Sequence, residues 1–204
     1  MHLFDQRILG SVILVLLGLL VIVKRVTTGS ILDKPRGNFM IQLVNIFNLF
    51  FLLVVNPLAA ILLITRSMGK FDPTHLSVEI NWLRTGLEIA GLILYVSGYL
   101  LMAWALTRLE SNYQLGGSAP RTKDKMIQDG PYGLVRHPMY TSALSISLGL
   151  VCLLQSWAFL AVFGIYLVLI LILIPAEEAG LRQAYGGQYD VYRLKTKKLI
   201  PFVF

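Results

Sequence analysis

The sequence predicts an all-α integral membrane protein with about five transmembrane helices. Three observations support this prediction: 56% of the 204 residues are hydrophobic, 14% are charged, and the mean hydropathy is +0.69. A soluble domain of ordinary composition carries about 25% charged residues. The length fits one compact domain, and the apolar residues are collected in long runs, as expected for membrane-spanning helices.

Four apolar runs define the predicted helices. They extend from Ile8 to Val23, Met40 to Ile64, Thr85 to Leu106 and Thr141 to Ile174. The last run is too long for one crossing, because its helix would measure about 51 Å against about 30 Å of hydrocarbon. It is therefore predicted to fold into a hairpin that turns near Gln155–Ser156–Trp157, which gives five helices in all.

The first run has some features of a signal peptide, because Arg7 precedes it and the segment Thr27–Ser30 is a weak cleavage region. Lys24 and Arg25 favour the other interpretation. Positive charge directly after an apolar core is typical of a stop-transfer flank. We therefore expect a membrane helix that is retained.

With five crossings, most of the basic residues fall on one side of the membrane. Of the 18 lysines and arginines, fourteen fall on one side of the membrane: Lys24, Arg25, Lys34, Arg36, Arg108, Arg121, Lys123, Lys125, Arg136, Arg182, Arg193, Lys195, Lys197 and Lys198. The positive-inside rule predicts that this side is cytoplasmic and that the N-terminus is outside. The same residues in the tail are also suited to attract anionic headgroups.

Small and polar residues within the runs indicate helix packing. Thr141, Ser145 and Gly149 form a small-residue series, and Gly91 with Gly98 forms another, so both are predicted to let neighbouring backbones approach. Three asparagines are predicted either to bond between helices or to line a pocket: Asn45, Asn48 and Asn56.

Glu88 is the one acid within the third run, and we expect it to pair with Arg84 four residues earlier. Cys152 is the only cysteine, so no disulfide framework is expected. The three histidines are scattered along the chain, and no metal site is expected: His2, His75 and His137.

Segment 130–140, directly before the hairpin, contains an arginine, a histidine and two tyrosines, whose side chains can bind a ligand or take part in catalysis. Pro131 and Pro138 predict an irregular stretch, with a helix starting near Tyr140. Irregular backbone near a membrane is tolerated where it is buried in protein or lines a wet cavity. Glu177 and Glu178 follow the hairpin, so folding back of the run would bring these acids to the segment.

Together these residues suit one class of ligand. They supply a guanidinium, an imidazole, two phenol rings and two carboxylates: Arg136, His137, Tyr132, Tyr140, Glu177 and Glu178. Such groups match an amino-acid zwitterion, an aromatic base and a positive centre, all of which S-adenosylmethionine carries. The alternative is that the arginine and histidine are interfacial anchors and the glutamates a solvated helix cap.

The order of these residues continues into the tail. The full series is Gly130–Pro131–Tyr132, Arg136–His137–Pro138–Met139–Tyr140, Glu177–Glu178, Leu181, Tyr185–Gly186, Tyr189, Tyr192 and Ile200–Pro201. It resembles the isoprenylcysteine carboxyl methyltransferase family and its phospholipid N-methyltransferase relatives, over roughly the last 80 residues. The resemblance divides the chain into transmembrane helices 1–3 (residues 1–110) and a catalytic region (residues 111–204).

The resemblance implies an S-adenosylmethionine-dependent methyltransferase with a cytoplasmic cofactor pocket built by the hairpin and tail. The implied cofactor contacts are Lys125, Met126, Ile127, Tyr132, His137, Pro138, Met139, Tyr140 and Glu178. We predict catalytic roles for Arg136, which would position charge, and Glu177. A carboxylate acceptor needs no general base, whereas an amine or thiol would lose a proton to His137, Glu177 or a tyrosine.

The acceptor and two other function classes stay open. Leu171 and Pro175 stand where eukaryotic isoprenylcysteine methyltransferases carry charge, so a phospholipid amine, an isoprenoid acid or a small thiol is as plausible as a prenylcysteine carboxylate. The expected partners are a lipophilic or lipid-anchored substrate and membrane lipids, without metal or nucleic acid. The alternatives are an NADPH-dependent membrane reductase related to sterol reductases, and a non-catalytic scaffold. The usual nucleotide-binding glycine fingerprint is absent.

Overall fold

The computed structural model describes residues 3–31, 39–76, 78–112 and 124–201. The helices of the described residues are α1 (Gln6–Thr28), α2 (Phe39–Phe50), α3 (Asn56–Ile64), α4 (Met68–Phe71), α5 (Asn81–Leu109), α6 (Pro138–Leu154), α7 (Trp157–Tyr185) and α8 (Gly187–Lys195). A π-helical turn, Phe51–Val55, joins α2 to α3, so that the two form one continuous span. The predicted all-α class is confirmed.

Helix length separates α6 from the other long helices. Four spans in the described residues are long and apolar enough to cross a membrane: Gln6–Thr28, Ile41–Ile64, Asn81–Leu109 and Trp157–Tyr185. The apolar helix α6 has only 17 residues, about 25 Å of rise. The predicted five-helix arrangement with a C-terminal hairpin is therefore confirmed, with one short arm.

The hairpin turns where the sequence predicted. Gln155 ends α6 in the left-handed region, with φ 49°, and Ser156 caps α7. The preceding loop binds this turn, because Leu76 N donates to the Gln155 carbonyl (2.6 Å) and Trp157 N donates to the Thr74 carbonyl (3.1 Å). We call this end of the bundle the turn end, and the opposite end, where α6 begins, the site end.

Close packing of α5 against α6 follows the predicted small residues. A Cβ added to Gly91 would lie 2.9 Å from the Gly149 carbonyl oxygen, and one added to Gly98 would meet the Ser142 carbonyl oxygen at 2.9 Å. The Ser145 hydroxyl donates across the same interface to a carbonyl of α5 at 2.8 Å. The predicted packing roles of Gly91, Gly98, Ser145 and Gly149 are confirmed.

The core lies where α1, α3, α5, α6 and α7 meet. At Gly10, an added Cβ would lie 2.6 Å from the Ala60 carbonyl oxygen, so α1 and α3 are in backbone contact. Fully buried aliphatic side chains fill the space between the helices: Ile13, Leu150, Ile170, Leu173 and Ile174. This packing fixes the hairpin against the rest of the bundle.

The predicted pair between Arg84 and Glu88 is wrong. The buried Glu88 carboxylate accepts from the backbone N–H of Leu3 at 2.8 Å. Arg84 instead donates to the Val78 carbonyl. The physical reason is position: Arg84 lies in the first turn of α5, where a carbonyl of the preceding loop is within reach, whereas Glu88 faces the start of α1.

Some residues used in the sequence analysis lie outside the described residues: His2, Lys34, Arg36, Arg121 and Lys123. Four of these five contribute to the unequal distribution of basic residues. The orientation of the protein in the membrane therefore stays a prediction.

Candidate functional site

The two ends of the α6–α7 hairpin meet in a buried ion pair. Arg136 Nε donates to Glu178 Oε1 at 2.8 Å, and their side chains are only 7% and 11% exposed. His137 Nε2 lies 3.4 Å from the same oxygen. A buried charge is tolerated when it is paired and hydrogen-bonded, as this carboxylate is. The predicted meeting of the two segments is confirmed.

The second carboxylate faces the first turn of α6. Tyr140 Oη donates to Glu177 Oε2 at 2.7 Å, and His137 Nδ1 lies 3.7 Å from that oxygen. The rings of His137 and Tyr140 stack with centroids 5.5 Å apart and an interplanar angle of 13°. Successive helical residues point about 100° apart, so Glu178 meets Arg136 and Glu177 meets Tyr140, while His137 lies between the two carboxylates. Glu177 is 20% exposed and so is the more accessible of the two.

Prolines and a glycine shape the segment before α6. Pro138 is the first residue of α6, and His137 before it has φ −123° and ψ 59°, outside the helical region that proline disfavours. Residues 130–133 form a 3₁₀ turn, which Gly130 enters with φ 58° while Arg108 packs against it. Arg108 also pairs with Asp129 at 3.3 Å. The predicted irregular stretch is thus a compact turn, and α6 begins two residues earlier than predicted.

The C-terminal tail pairs with the backbone of the same segment. Arg136 N donates to the Lys197 carbonyl at 2.7 Å, and His137 N donates to the Lys198 carbonyl at 3.0 Å. Val135 and Lys197 form an isolated parallel bridge. These bonds satisfy N–H groups that precede the first turn of α6 and hold the arginine and histidine in place. Sequence analysis missed this pairing.

Side chains of the tail and of α8 add further contacts. Thr141 Oγ1 donates to the Leu199 carbonyl at 2.7 Å, so the first member of the predicted small-residue series binds the tail. Tyr192 Oη donates to the Tyr132 carbonyl at 2.6 Å. Burial raises the pKa of the Tyr192 phenol to about 12, so it remains a donor at neutral pH. Tyr189 packs beside it, with ring centroids 6.1 Å apart.

The end of α8 caps the guanidinium of Arg136. Its Nη1 donates to the Arg193 carbonyl at 3.3 Å and to the Thr196 carbonyl. Carbonyls of the last helical turn lack partners within the helix and carry partial negative charge, so they attract a cation. Because the contacting groups are backbone atoms, no residue type in the sequence indicated them.

The predicted contacts at residues 125–127 lie in a segment without helix or strand. Lys125 N donates to Asn112 Oδ1 at 3.2 Å, and the Asp124 carbonyl accepts from Tyr185 Oη at 3.5 Å. Met126 and Ile127 are half-buried. Among the described residues, no hydrogen bond is recorded for their backbone N–H groups and none links the segment directly to the glutamate pair.

The structure thus brings together most of the predicted site residues. The cluster contains Arg136, His137, Tyr140, Glu177 and Glu178. Pro138 is buried at the start of α6, and Tyr132 joins through its carbonyl. Met139 points elsewhere, into a cavity between the helices. The carbonyls of α8 and the paired tail are the parts that sequence analysis did not find.

The cavity between the helices has a volume of about 160 Å³ and is lined mainly by apolar side chains. Tyr140 lines it and so connects it to the cluster. Asn48 and Asn56 accept hydrogen bonds from tyrosines of neighbouring helices, Tyr166 and Tyr95. Both predicted uses of the asparagines are therefore realised, since Asn48 and Asn56 bond between helices and also line the cavity.

Fold and site define a multi-pass membrane protein whose charged cluster lies where its C-terminal helical hairpin closes. Residues 87–188 match the model of the family described as phospholipid methyltransferase. This match covers half of the chain, and the chain belongs to that family. It begins within α5, and the predicted division at residue 110 stays a prediction.

Similar proteins agree with this membership. A curated relative, the protein-S-isoprenylcysteine O-methyltransferase of Schizosaccharomyces pombe (strain 972 / ATCC 24843), is 28% identical over 129 residues, 62% of this chain and 55% of the relative. The chain thus spans about half the length of that relative. The solved eukaryotic intramembrane Ras methyltransferase ICMT (isoprenylcysteine carboxyl methyltransferase) superposes with a TM-score of 0.50 at 16% identity, over 92% of this chain and 74% of that one. The likeness to this solved structure shows a shared fold.

Proposed function

We propose that this protein is an S-adenosylmethionine-dependent methyltransferase that acts on a lipophilic acceptor at the membrane interface. The observation that carries the proposal is the convergence of Glu177 and Glu178 on Arg136, His137 and Tyr140, at the end of a hairpin inside the family match. The named relatives are methyltransferases, which supports the same reaction class.

The residues fit the cofactor by their chemistry. Glu177 is partly exposed, and a carboxylate at this position suits an ammonium group or ribose hydroxyls. Met126 and Ile127 are half-buried residues, and no hydrogen bond of their backbone N–H groups is recorded in the described part of the chain. Backbone N–H groups without a protein partner can donate to the ring nitrogens of an aromatic base. We therefore assign the cofactor to Glu177, Glu178, His137 and the segment 125–127, with Tyr132 and residues 138–140 shaping the site.

The cofactor would supply an electrophilic methyl group on a sulfonium. Transfer of such a group needs alignment and exclusion of water more than proton transfer. Arg136 and His137 hold Glu178 from two directions, and Tyr140 orients Glu177, so the carboxylates are fixed before any ligand arrives. Glu177 is placed to take a proton from an amine or thiol acceptor, whereas a carboxylate acceptor would need none.

The acceptor would enter from the bilayer through the cavity between the helices. This cavity reaches Met139 and Tyr140, and it is lined mainly by apolar side chains. An acyl or prenyl chain of the acceptor would be stabilised there by burial. Its reactive group would then lie near Tyr140, which belongs to both the cavity and the charged cluster.

A calorimetric titration of the detergent-purified protein with S-adenosylhomocysteine tests the proposal, and NADPH serves as the control ligand. Saturable binding of S-adenosylhomocysteine alone is the expected result. Binding of NADPH alone would move the protein to the reductase class, and binding of neither ligand in lipid nanodiscs would contradict the cofactor assignment.

We also propose that the site end is cytoplasmic and the N-terminus external. The support is the excess of lysine and arginine in the segments that flank the site end. A reporter fused to the C-terminus should be accessible only from the cytoplasm, and one fused to the N-terminus only from outside. Two cytoplasmic termini would contradict both the orientation and the odd number of crossings.

A further inference from the structure

A second pocket lies beside Arg136, on the side formed by the tail. It has a volume of about 260 Å³ and is lined by Arg136, Arg193, Leu194, Lys195, Thr196, Lys197 and Lys198. Five of these seven lining residues are basic and none is acidic. The pocket is therefore chemically distinct from the glutamate pair and is suited to an anion.

Three of the five basic side chains of this pocket have no acidic partner among the described residues. Arg193, Lys195 and Lys197 are exposed, and no ion pair is recorded for them among the described residues. Asp190 is the one carboxylate in the sequence between residues 179 and 201, and it pairs with Arg182 at 3.1 Å. Arg193, Lys195 and Lys197 can therefore bind an anion without breaking an ion pair in the described part of the chain.

Arg136 contributes a rigid donor to the same pocket. Its Nε and Nη1 atoms bind Glu178 and the carbonyls at the end of α8. The structure records no partner for its Nη2 in the described part of the chain. The side chain is only 7% exposed, so the guanidinium is held in one orientation. A fixed guanidinium with lysine side chains next to it suits a phosphate group.

Apolar side chains next to the pocket indicate that the ligand is amphipathic. Leu194 is 89% exposed, and Val191 and Ile200 are each 53% exposed. On α8, Val191 and Leu194 lie on the face opposite the buried Tyr189 and Tyr192. A short helix with exposed apolar residues next to lysine and arginine is typical of a segment that lies on a bilayer surface.

The length of α6 indicates how deep this pocket lies. The tail that forms it is bonded to the backbone of Arg136 and His137, directly before α6. α6 rises only about 25 Å against about 30 Å of hydrocarbon, so if its turn end reaches the opposite membrane surface, its first residue, Pro138, lies close to the headgroups. The neighbouring pocket is then within reach of a lipid phosphate.

We propose that this pocket binds the phosphate of an anionic phospholipid from the surrounding bilayer, with Leu194 in contact with the apolar part of the lipid. This lipid is a bound partner and not the methyl acceptor. The proposal stands on the tail pocket and does not require the proposed enzymatic function. It assigns the basic tail a defined binding site in addition to a general attraction to the membrane.

Native mass spectrometry of delipidated protein with dioctanoyl phosphatidylglycerol or dioctanoyl phosphatidylcholine tests the proposal. We expect phosphatidylglycerol to bind more tightly, with about a fivefold contribution from each basic residue. The triple variant R193Q/K195Q/K197Q should lose this preference. A matched triple variant at the turn end, R7Q/R66Q/K70Q, should keep it. Equal behaviour of the two triple variants would overturn the proposal.

Two further measurements separate the lipid from a free anion and guard against misfolding. Leu194→Gln should weaken binding of phosphatidylglycerol severalfold, and millimolar inorganic phosphate should not displace the lipid. Displacement by inorganic phosphate, with no effect of Leu194→Gln, would overturn the lipid assignment. If circular dichroism shows that the triple variant is misfolded, the single variants Lys195→Gln and Lys197→Gln replace it, and about a fivefold loss in each is expected.

Discussion

The α6–α7 hairpin carries a polar cluster at each end, and the two clusters are built from different groups. At the site end, Arg136, His137 and two glutamates form a network of charges, in which Arg136 and Glu178 are almost fully buried. At the turn end, the single carboxylate of Asp72 accepts from Thr74, and Thr74 binds the start of α7 through its hydroxyl and its backbone carbonyl.

The turn-end cluster supplies hydrogen-bond partners for the backbone amides at the start of α7. Asp72 Oδ1 accepts from the backbone N–H and the hydroxyl of Thr74, at 2.8 Å and 2.6 Å. Thr74 then accepts from Trp157 N through its carbonyl, and from Ala158 N through its hydroxyl at 3.1 Å. The first amides of α7 thus receive partners, as helix capping requires.

The two ends of the hairpin are therefore held by different kinds of interaction. Neutral hydrogen bonds to the backbone contribute about 1 kcal/mol each and define shape. Burial of an ion pair costs desolvation, and its replacement by apolar residues is often neutral or stabilising. Stability therefore does not explain why Arg136 and Glu178 are charged, whereas the chemical role proposed for them would explain it.

The largest expected effect follows from breaking the site-end network. Arg136→Ala and Glu178→Ala should each lower methyl transfer by about a hundredfold or more, because a small displacement of a positioning group has that cost. Both variants should remain folded in detergent. Arg66→Ala is the matched control, since Arg66 is 54% exposed and pairs with Asp5 at the turn end. Activity in a radiolabel transfer assay is the measurement, and wild-type turnover in both site variants would disprove the assignment.

An intermediate effect is expected between the two ends, where α5 and α6 touch. A Cβ at Gly149 would lie 2.8 Å from Tyr95 N, so Gly149→Leu should separate the helices and cost about 1–3 kcal/mol. The melting temperature in detergent should fall by several degrees. Gly164→Leu on α7 is the control, because nothing lies within 4 Å of its Cβ position. Equal melting temperatures for the two variants would contradict the close α5–α6 contact.

The smallest expected effect is at the turn end and depends on pH. Burial raises the pKa of Asp72, but the hydroxyls of Ser156 and Thr74 outweigh burial and leave that pKa below its usual value. A lowered pKa stabilises the fold above the unfolded value and loses this contribution as the pH falls. The excess melting temperature of the wild type over Asp72→Asn should therefore be constant near neutral pH and should shrink as the pH falls below about 4 and through the lowered pKa of the folded state.

Methyl transfer by Asp72→Asn should stay at the wild-type level, because Asp72 is remote from the charged cluster. Loss of activity with an unchanged melting temperature would contradict the assignment of a structural role to the turn end and of a chemical role to the site end.

The sequence by itself determined the helices, the hairpin and most of the site. Apolar run length sets helix number, and Pro138 fixes an interruption next to Arg136 and His137, so these features depend on local chemistry. The glutamate pair was predictable because a run too long for one crossing has to return. The spacing of small residues in the sequence also predicted that neighbouring backbones approach closely at the glycines of α5 and α6.

Only the tertiary structure decided which partners the charged residues meet. Arg136 is capped by carbonyls of α8, His137 is held by the tail, and Glu88 binds Leu3 and not Arg84. Each of these partners is a backbone group. Every residue carries such a group, so the sequence gives no signal for the one that will be near. The basic pocket of the tail has the same origin, since it exists only where the tail returns to the start of α6.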